Sequence, residues 1–138
     1  MFQTNKIYIQ LFRNKVTVVN LESGVEATTI ATEPFSTQRS VLSSFGPADK
    51  AVRVAIKDLG LKFSLLKTRG VIQQMEDTQG GLTDIEKRAL RDLAENAGVG
   101  VVYIIDGEKR LTSEEALTLM EKKKLKKSFY GTADDQMM

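Results

Sequence analysis

The first third of the chain alternates between apolar and polar positions with the two-residue period of β-strands. This alternation predicts strands at Lys6–Phe12, Val16–Leu21 and Val25–Ala31, separated by short polar turns at Arg13–Lys15 and Glu22–Gly24. Both faces of the first strand are largely apolar, which is typical of a strand in the middle of a sheet. The three segments therefore predict an antiparallel meander whose first strand lies inside the sheet.

The pattern then changes to the period of a helix. Apolar residues in Ala48–Leu59 recur at i, i+3, i+4, i+7, i+8 and i+11, which predicts one buried helical face. Pro47 suits a first helical turn, and Gly60 suits the position after the last one. A strand over Val52–Ile56 is the competing interpretation, because alternate residues there are also apolar. The flanking Pro and Gly and the longer match favour the helix.

A second helix is predicted between two further strands, Arg69–Met75 and Val99–Ile105. Thr83 and Glu86 have the spacing of a capping box at its start, and Gly98 stops it. The capping box also explains Glu86 more simply than a role as general base. The predicted buried face of this helix consists of Ile85, Ala89, Leu90, Leu93 and Ala97.

A third helix follows a second capping box at Thr112–Glu115 and ends in the basic run Lys122–Lys127. Its predicted inward residues are Ala116, Leu117 and Met120. Positive charge is favourable at the C-terminus of a helix, so the run is explained by a solvated helix end. We expect one domain over residues 1–130 and a disordered tail over 131–138.

The predicted order is strand, strand, strand, helix, strand, helix, strand, helix. Three antiparallel strands followed by alternating helices and parallel strands predict an α/β protein with a mixed five-stranded sheet. This is the order of the ribonuclease H-like fold, which also forms the core of each half of the actin-like ATPases. A shared fold does not by itself imply a shared activity.

The amino-acid composition excludes several kinds of catalytic and metal-binding site. The 138 residues include no Cys and no His, which excludes zinc fingers, thiol nucleophiles and imidazole acid–base catalysis. A formal net charge of +2 is too small to indicate a nucleic-acid-binding protein. The chain begins without the layout of a signal peptide and has no apolar run long enough to span a membrane. We therefore expect a cytoplasmic protein.

One region resembles a known family. The segment Gly81–Leu90, followed by Ala97-Gly98 and then Val102–Asp106, is similar to the actin-like rod-shape-determining family MreB. That family has a Gly-(Ile/Leu)-Thr-x-(Val/Ile)-Glu-Arg-Arg-Ala helix start, then Ala-Gly and a strand that ends in Ile-Glu-Glu-Pro. Glu33-Pro34 resembles its Glu-Pro-Ser step after the third strand. The resemblance implies the family's first large subdomain, standing alone.

The departures from the family bear on its ATPase chemistry. Its first phosphate loop is a strand running into Asp-Leu-Gly-Thr, where this chain reads Gln10-Leu11-Phe12-Arg13. Its Ile-Glu-Glu-Pro becomes Ile105-Asp106-Gly107-Glu108. We expect ATP hydrolysis to be lost, and binding of ATP and magnesium with it, leaving no catalytic residue, no cofactor and no metal. A vestigial cleft would contain Gln10, Arg13, Asp106 and Glu108.

An alternative keeps the fold and changes the function. A divergent magnesium-dependent nuclease, resolvase-like enzyme or nucleic-acid-binding protein would use Glu76, Asp77, Asp106 and Glu108 for the metal and the lysine run for phosphates. The first strand carries no carboxylate, however, whereas two-metal nucleases of this fold place one there. A small adaptor with no relation to nucleotides is a third interpretation.

The leading interpretation is a non-catalytic actin-like domain that acts by protein–protein contact or self-association and is linked to cell shape or a cytoskeleton. An isolated subdomain exposes faces that its family covers, and self-association is a simple way to cover them. A weaker hypothesis is binding of the basic end to anionic membrane or nucleic acid. The residues proposed for contact are Lys122, Lys123, Lys124, Lys126, Lys127, Phe129 and Tyr130.

Overall fold

The computed structural model describes residues 4–61, 67–130 and 136–137, with residues 123–130 and 136–137 described by backbone alone. The strands in this part of the chain are β1 (Thr4–Phe12), β2 (Lys15–Asn20), β3 (Glu26–Ile30), β4 (Lys67–Gln74), β5 (Val101–Ile105) and β6 (Gln136–Met137). The helices are α1 (Phe45–Asp58), α2 (Asp84–Asn96) and α3 (Ser113–Tyr130).

The strands form one mixed sheet in the order β3-β2-β1-β4-β5-β6. The pairs β1–β2 and β2–β3 are antiparallel, whereas β1–β4 and β4–β5 are parallel. This confirms an α/β protein with five principal strands in a mixed sheet. β1 lies between an antiparallel and a parallel neighbour and is buried along most of its length, as its two apolar faces predict.

The helices cover both faces of the sheet. α1 packs on β2 and β3, and α2 packs on β4 and β5. Both helices bury their apolar residues against one face, which carries Ile9 and Ile72. α3 covers the other face, where Ala116 and Met120 pack with Tyr8 and Tyr103. Two separate hydrophobic clusters therefore lie on opposite sides of one sheet.

The ambiguous segment Val52–Ile56 is helical. It lies within α1, which begins after Ser44 and buries Val52 while Val54 stays 38% exposed. A strand over the same residues would place both valines on the same face. The longer helical period therefore outweighs the short alternation.

The predicted buried face of α2 is wrong at one position. Ile85 is 81% exposed, whereas Leu90, Leu93, Ala94 and Ala97 are buried. The buried residues follow i, i+3, i+4 and i+7, and at about 100° per residue Ile85 lies roughly 130° from the centre of that stripe. Leu82, one residue before the N-cap, fills the core at this end instead.

The C-terminal tail prediction falls mostly outside the described residues, since 131–135 and 138 are not among them. Gln136–Met137 pair in parallel with Ile104 and Ile105 at the end of β5. Among the described helices, none combines the length and the apolar character needed to cross a bilayer.

Candidate functional site

Most of the candidate residues lie in the loops that follow the parallel strands β1, β4 and β5, at the edge where open α/β sheets bind ligands. Three loops lie at this carboxyl edge: the β1–β2 turn, the β4–α2 loop (residues 75–83) and the β5–α3 loop (residues 106–112). The arrangement of their polar side chains decides what this edge can do.

Arg13 joins the β1–β2 turn to the β4–α2 loop. Its guanidinium forms an ion pair with Asp77, with 2.6 Å between Nη2 and Oδ2, and Nε donates to the same carboxylate at 2.8 Å. The backbone N–H of Arg13 donates to Glu76 at 3.0 Å. Nη1 also donates to the carbonyl of Thr37. Arg13 is thus bound on several sides by its own chain.

Asp106 and Glu108 hold the same β4–α2 loop from the β5 side. Both oxygens of Asp106 accept from the backbone N–H of Leu82 at 3.1 Å. Glu108 accepts from the backbone N–H and the hydroxyl of Thr78 at 2.7 and 3.0 Å. The two carboxylates that the sequence assigns to a cleft therefore serve as acceptors for loop amides.

The start of α2 follows the predicted capping box. The Thr83 hydroxyl accepts from the Glu86 backbone, and the Glu86 carboxylate accepts from the Thr83 backbone. This confirms the cap interpretation of Glu86. Gly81 has φ +88°, a conformation that favours glycine, and a Cβ there would make a tight contact of 3.3 Å with an Asp106 oxygen.

Two glutamines stand side by side on the α3-covered face, where Gln10 of β1 is in register with Gln73 of β4. Both are fully buried. Gln73 Nε2 donates to the carbonyls of Gly107 and Lys109 at 2.7 and 2.9 Å. Neither amide atom of Gln10 has a hydrogen-bond partner in the described part of the chain. Gln10 therefore does not line an open cleft, contrary to the sequence-based expectation.

Tyr8 extends the Gln73 network along the same face. Its hydroxyl donates to Gln73 Oε1 and accepts from the backbone N–H of Leu111 at 3.0 Å. Burial raises the pKa of the Tyr8 phenol, because the charged form would lose its hydration. The β5–α3 loop is thus fastened across the sheet by two buried side chains that the sequence analysis did not single out.

The acidic residues of the nuclease alternative do not converge. Glu76 and Asp77 are bound to Arg13, while Asp106 and Glu108 are bound to the β4–α2 loop. Within residues 4–61, 67–130 and 136–137, no group of three His, Cys, Asp or Glu residues has a geometry that could hold a metal ion. The arrangement fits a structural role for these carboxylates.

A groove of about 550 Å³ opens beside the carboxyl edge, between the end of β5 and α3. Ile105, Leu111 and Leu119 supply apolar lining. The charged lining is mixed and consists of Lys109, Lys122, Asp106, Glu114 and Glu115. Lys122 is the first residue of the predicted contact set. Its other members, Lys123, Lys124, Lys126, Lys127, Phe129 and Tyr130, lie in α3 by backbone, and their side chains are outside the described part.

The fold and the carboxyl edge define an α/β protein whose acidic side chains bind its own loops. A comparison with models of protein families finds no match. The chain is similar to the uncharacterized protein YjaA of Escherichia coli (strain K12), with 29% identity over 126 residues. The similarity covers 86% of this chain and 98% of that protein. The name of this relative states no activity.

Proposed function

We propose that this protein is a non-catalytic domain with a ribonuclease H-like, actin-like fold that acts by protein–protein contact. The observation that carries the proposal is the state of the carboxyl edge, where Glu76, Asp77, Asp106 and Glu108 are each engaged by Arg13 or by a loop amide. Side chains used in this way stabilise the loops, and a magnesium ion or a water at these carboxylates would compete with those hydrogen bonds.

The strand arrangement supports the fold part of the proposal. A central β1 with an antiparallel β2–β3 extension on one side and parallel β4 and β5 on the other is the order expected of a ribonuclease H-like domain. The placement of α1 and α2 on one face and α3 on the other agrees with it. A relation to the first subdomain of the MreB family, and with it a cytoskeletal partner, is part of this proposal.

The end of β1 supports the loss of nucleotide chemistry. Gln10 is fully buried, and the Phe12 ring lies 4.4 Å from the Lys15 ammonium, where the family's phosphate loop has a small flexible residue. A phosphate loop needs exposed backbone amides that a phosphate can approach closely. A bulky aromatic residue at this position leaves less room for such an approach.

The test measures phosphate release from ATP with magnesium, and the thermal midpoint with and without the same ligand. We expect no release above a buffer blank and no shift, because a ligand that binds the folded state must raise the midpoint. Hydrolysis that is lost in Asp106→Asn but kept in Asp92→Asn, an exposed position on α2, would contradict the proposal.

A further inference from the structure

β3 has one edge without a partner strand in the described part of the chain, because it is the last strand on its side of the sheet. The ladder to β2 fixes which residues face outward. Ala31 N–H donates to the Asn14 carbonyl, and Asn20 N–H donates to the Val25 carbonyl, so the odd-numbered residues face β2. In an antiparallel ladder the alternate residues direct their backbone groups away. Glu26, Thr28 and Ile30 therefore present N–H and C=O groups outward.

This edge lacks most of the features that protect sheet edges from pairing. Such edges usually carry lysine, proline or a bulge. The run Val25–Ile30 contains neither Lys nor Pro, and its register with β2 has no bulge. The one charged residue, Glu26, is paired with Arg110 at 3.2 Å. The edge is regular and can accept another strand.

Exposed apolar side chains border the same edge. Val25 is 57% exposed and Ile30 is 73% exposed. Val54 of α1 is also exposed. The hydrogen bond from Arg53 to the Asn96 carbonyl marks the side of α1 that faces α2, and Val54 lies away from that side. Since α1 packs over β2 and β3, Val54 lies on its outer side. Val54 therefore borders the edge on the α1 side of the sheet, whereas Ile30, in register with Lys15 and Phe12, borders it on the opposite side.

We propose that two copies of this chain associate through β3, antiparallel about a two-fold axis at Thr28. This inference rests on the proposed function, and it names the surface and the partner for self-association. With Thr28 opposite Thr28 of the second copy, Glu26 lies opposite Ile30 in both directions. In this register the even-numbered residues of one copy lie opposite even-numbered residues of the other. Every outward N–H and C=O of the three residues therefore forms a hydrogen bond across the interface. A surface that complements itself in this way suits a two-fold dimer.

Charge favours the same register. Glu26 of one copy lies opposite Ile30 of the other, so the two carboxylates do not face each other, and each Glu26 keeps Arg110 as its partner. Like charges directly opposite would destabilise the pair. The contact also shields Ile30, which is 73% exposed, from water.

The first experiment measures solution mass by light scattering across a dilution series. We expect the full chain to approach twice 15.3 kDa, and Thr28→Pro to remain at 15.3 kDa. Proline removes the outward N–H of residue 28 but no bond to β2, so an edge strand can accept it. Both proline and valine lose the Thr28–Thr17 hydroxyl contact of 2.8 Å. Thr28→Val, which keeps the N–H, is therefore the matched control and should still dimerise.

The second experiment uses the absence of cysteine in this chain. Thr28→Cys introduces a single thiol at the two-fold axis, where paired Cα atoms would lie about 5.5 Å apart, within disulfide range. Mild oxidation should give a covalent dimer. Ile85→Cys, at an exposed site on α2, should not cross-link under the same conditions.

The outcomes separate this inference from the proposed function. A monomer at all concentrations, or a dimer that persists in Thr28→Pro and fails to cross-link through Thr28→Cys, would overturn pairing through β3. A persistent dimer of this kind would leave protein contact as the function and move it to another surface. ATP hydrolysis dependent on Asp106 would overturn the proposed function, whether or not the β3 edge pairs.

Discussion

Replacing Gln10 with methionine should stabilise this protein. The Gln10 side chain is fully buried, and neither its nitrogen nor its oxygen has a hydrogen-bond partner among the described residues. A buried polar group without a partner costs about 1–3 kcal/mol relative to one that is satisfied. Methionine has a similar length and volume and carries no strong hydrogen-bonding group, so Gln10→Met removes this cost with little change in packing.

The same substitution at Gln73 should have the opposite effect. Gln73 is equally buried and stands in register with Gln10, but it accepts from Tyr8 and donates to the Gly107 and Lys109 carbonyls. Gln73→Met would leave those partners unsatisfied, at a cost of about 2–4 kcal/mol. The two variants therefore form a matched pair in which only the hydrogen bonding differs.

Urea denaturation followed by circular dichroism measures both free energies of unfolding. We expect Gln10→Met to raise the free energy of unfolding by about 1–2 kcal/mol. With about 2.1 cal/mol/K of unfolding entropy per residue, 138 residues give roughly 3 °C in Tm for each kcal/mol. A Gln10→Met protein less stable than the natural chain, or a Gln73→Met protein of unchanged stability, would refute the reasoning.

Three further predictions concern a helix cap, a loop and a titration. Thr83→Ala should lower the free energy of unfolding by about 1 kcal/mol, because it breaks the capping box with Glu86; urea denaturation measures this. Asp106→Ala should speed hydrogen exchange at the Leu82 amide, which loses its acceptor; mass spectrometry can follow it. Burial raises the folded-state pKa of Tyr8 above 10.0, so stability is full below pH 10 and falls as pH rises through the folded pKa. Tyr8→Phe should flatten that fall in denaturation curves above pH 10.

Local patterns in the sequence predict most of the fold. Periods of two and of 3.6 residues, with glycine, proline and capping-box signals, place the five principal strands and three helices. The same reasoning fails for Ile85, because a stripe traced at steps of four drifts around the helix away from the buried face. The i, i+3, i+4 spacing of Leu90, Leu93 and Ala94 identifies the buried face correctly.

The partners of polar side chains could not be predicted in this way. Gln10 and Gln73 are the same residue type and lie in register on the neighbouring parallel strands β1 and β4. They differ because the β5–α3 loop brings two carbonyls to Gln73, a contact between residues 34 and 36 positions apart. Periodicity reports which face a residue occupies, but it contains no information on which distant backbone atoms reach that face.

At the carboxyl edge, the sequence pattern predicts where the acidic residues lie, but it does not predict which backbone groups they bind. Binding of a phosphate by a loop depends on backbone N–H groups that are free to donate. Here the N–H of Thr78 is used by Glu108 and the N–H of Leu82 by Asp106, so resident carboxylates already occupy the place of a bound anion. A phosphate at these amides would have to displace a carboxylate and remain beside its negative charge. The acidic residues that suggest chemistry in the sequence therefore oppose nucleotide binding at these two amides and stabilise the loop instead.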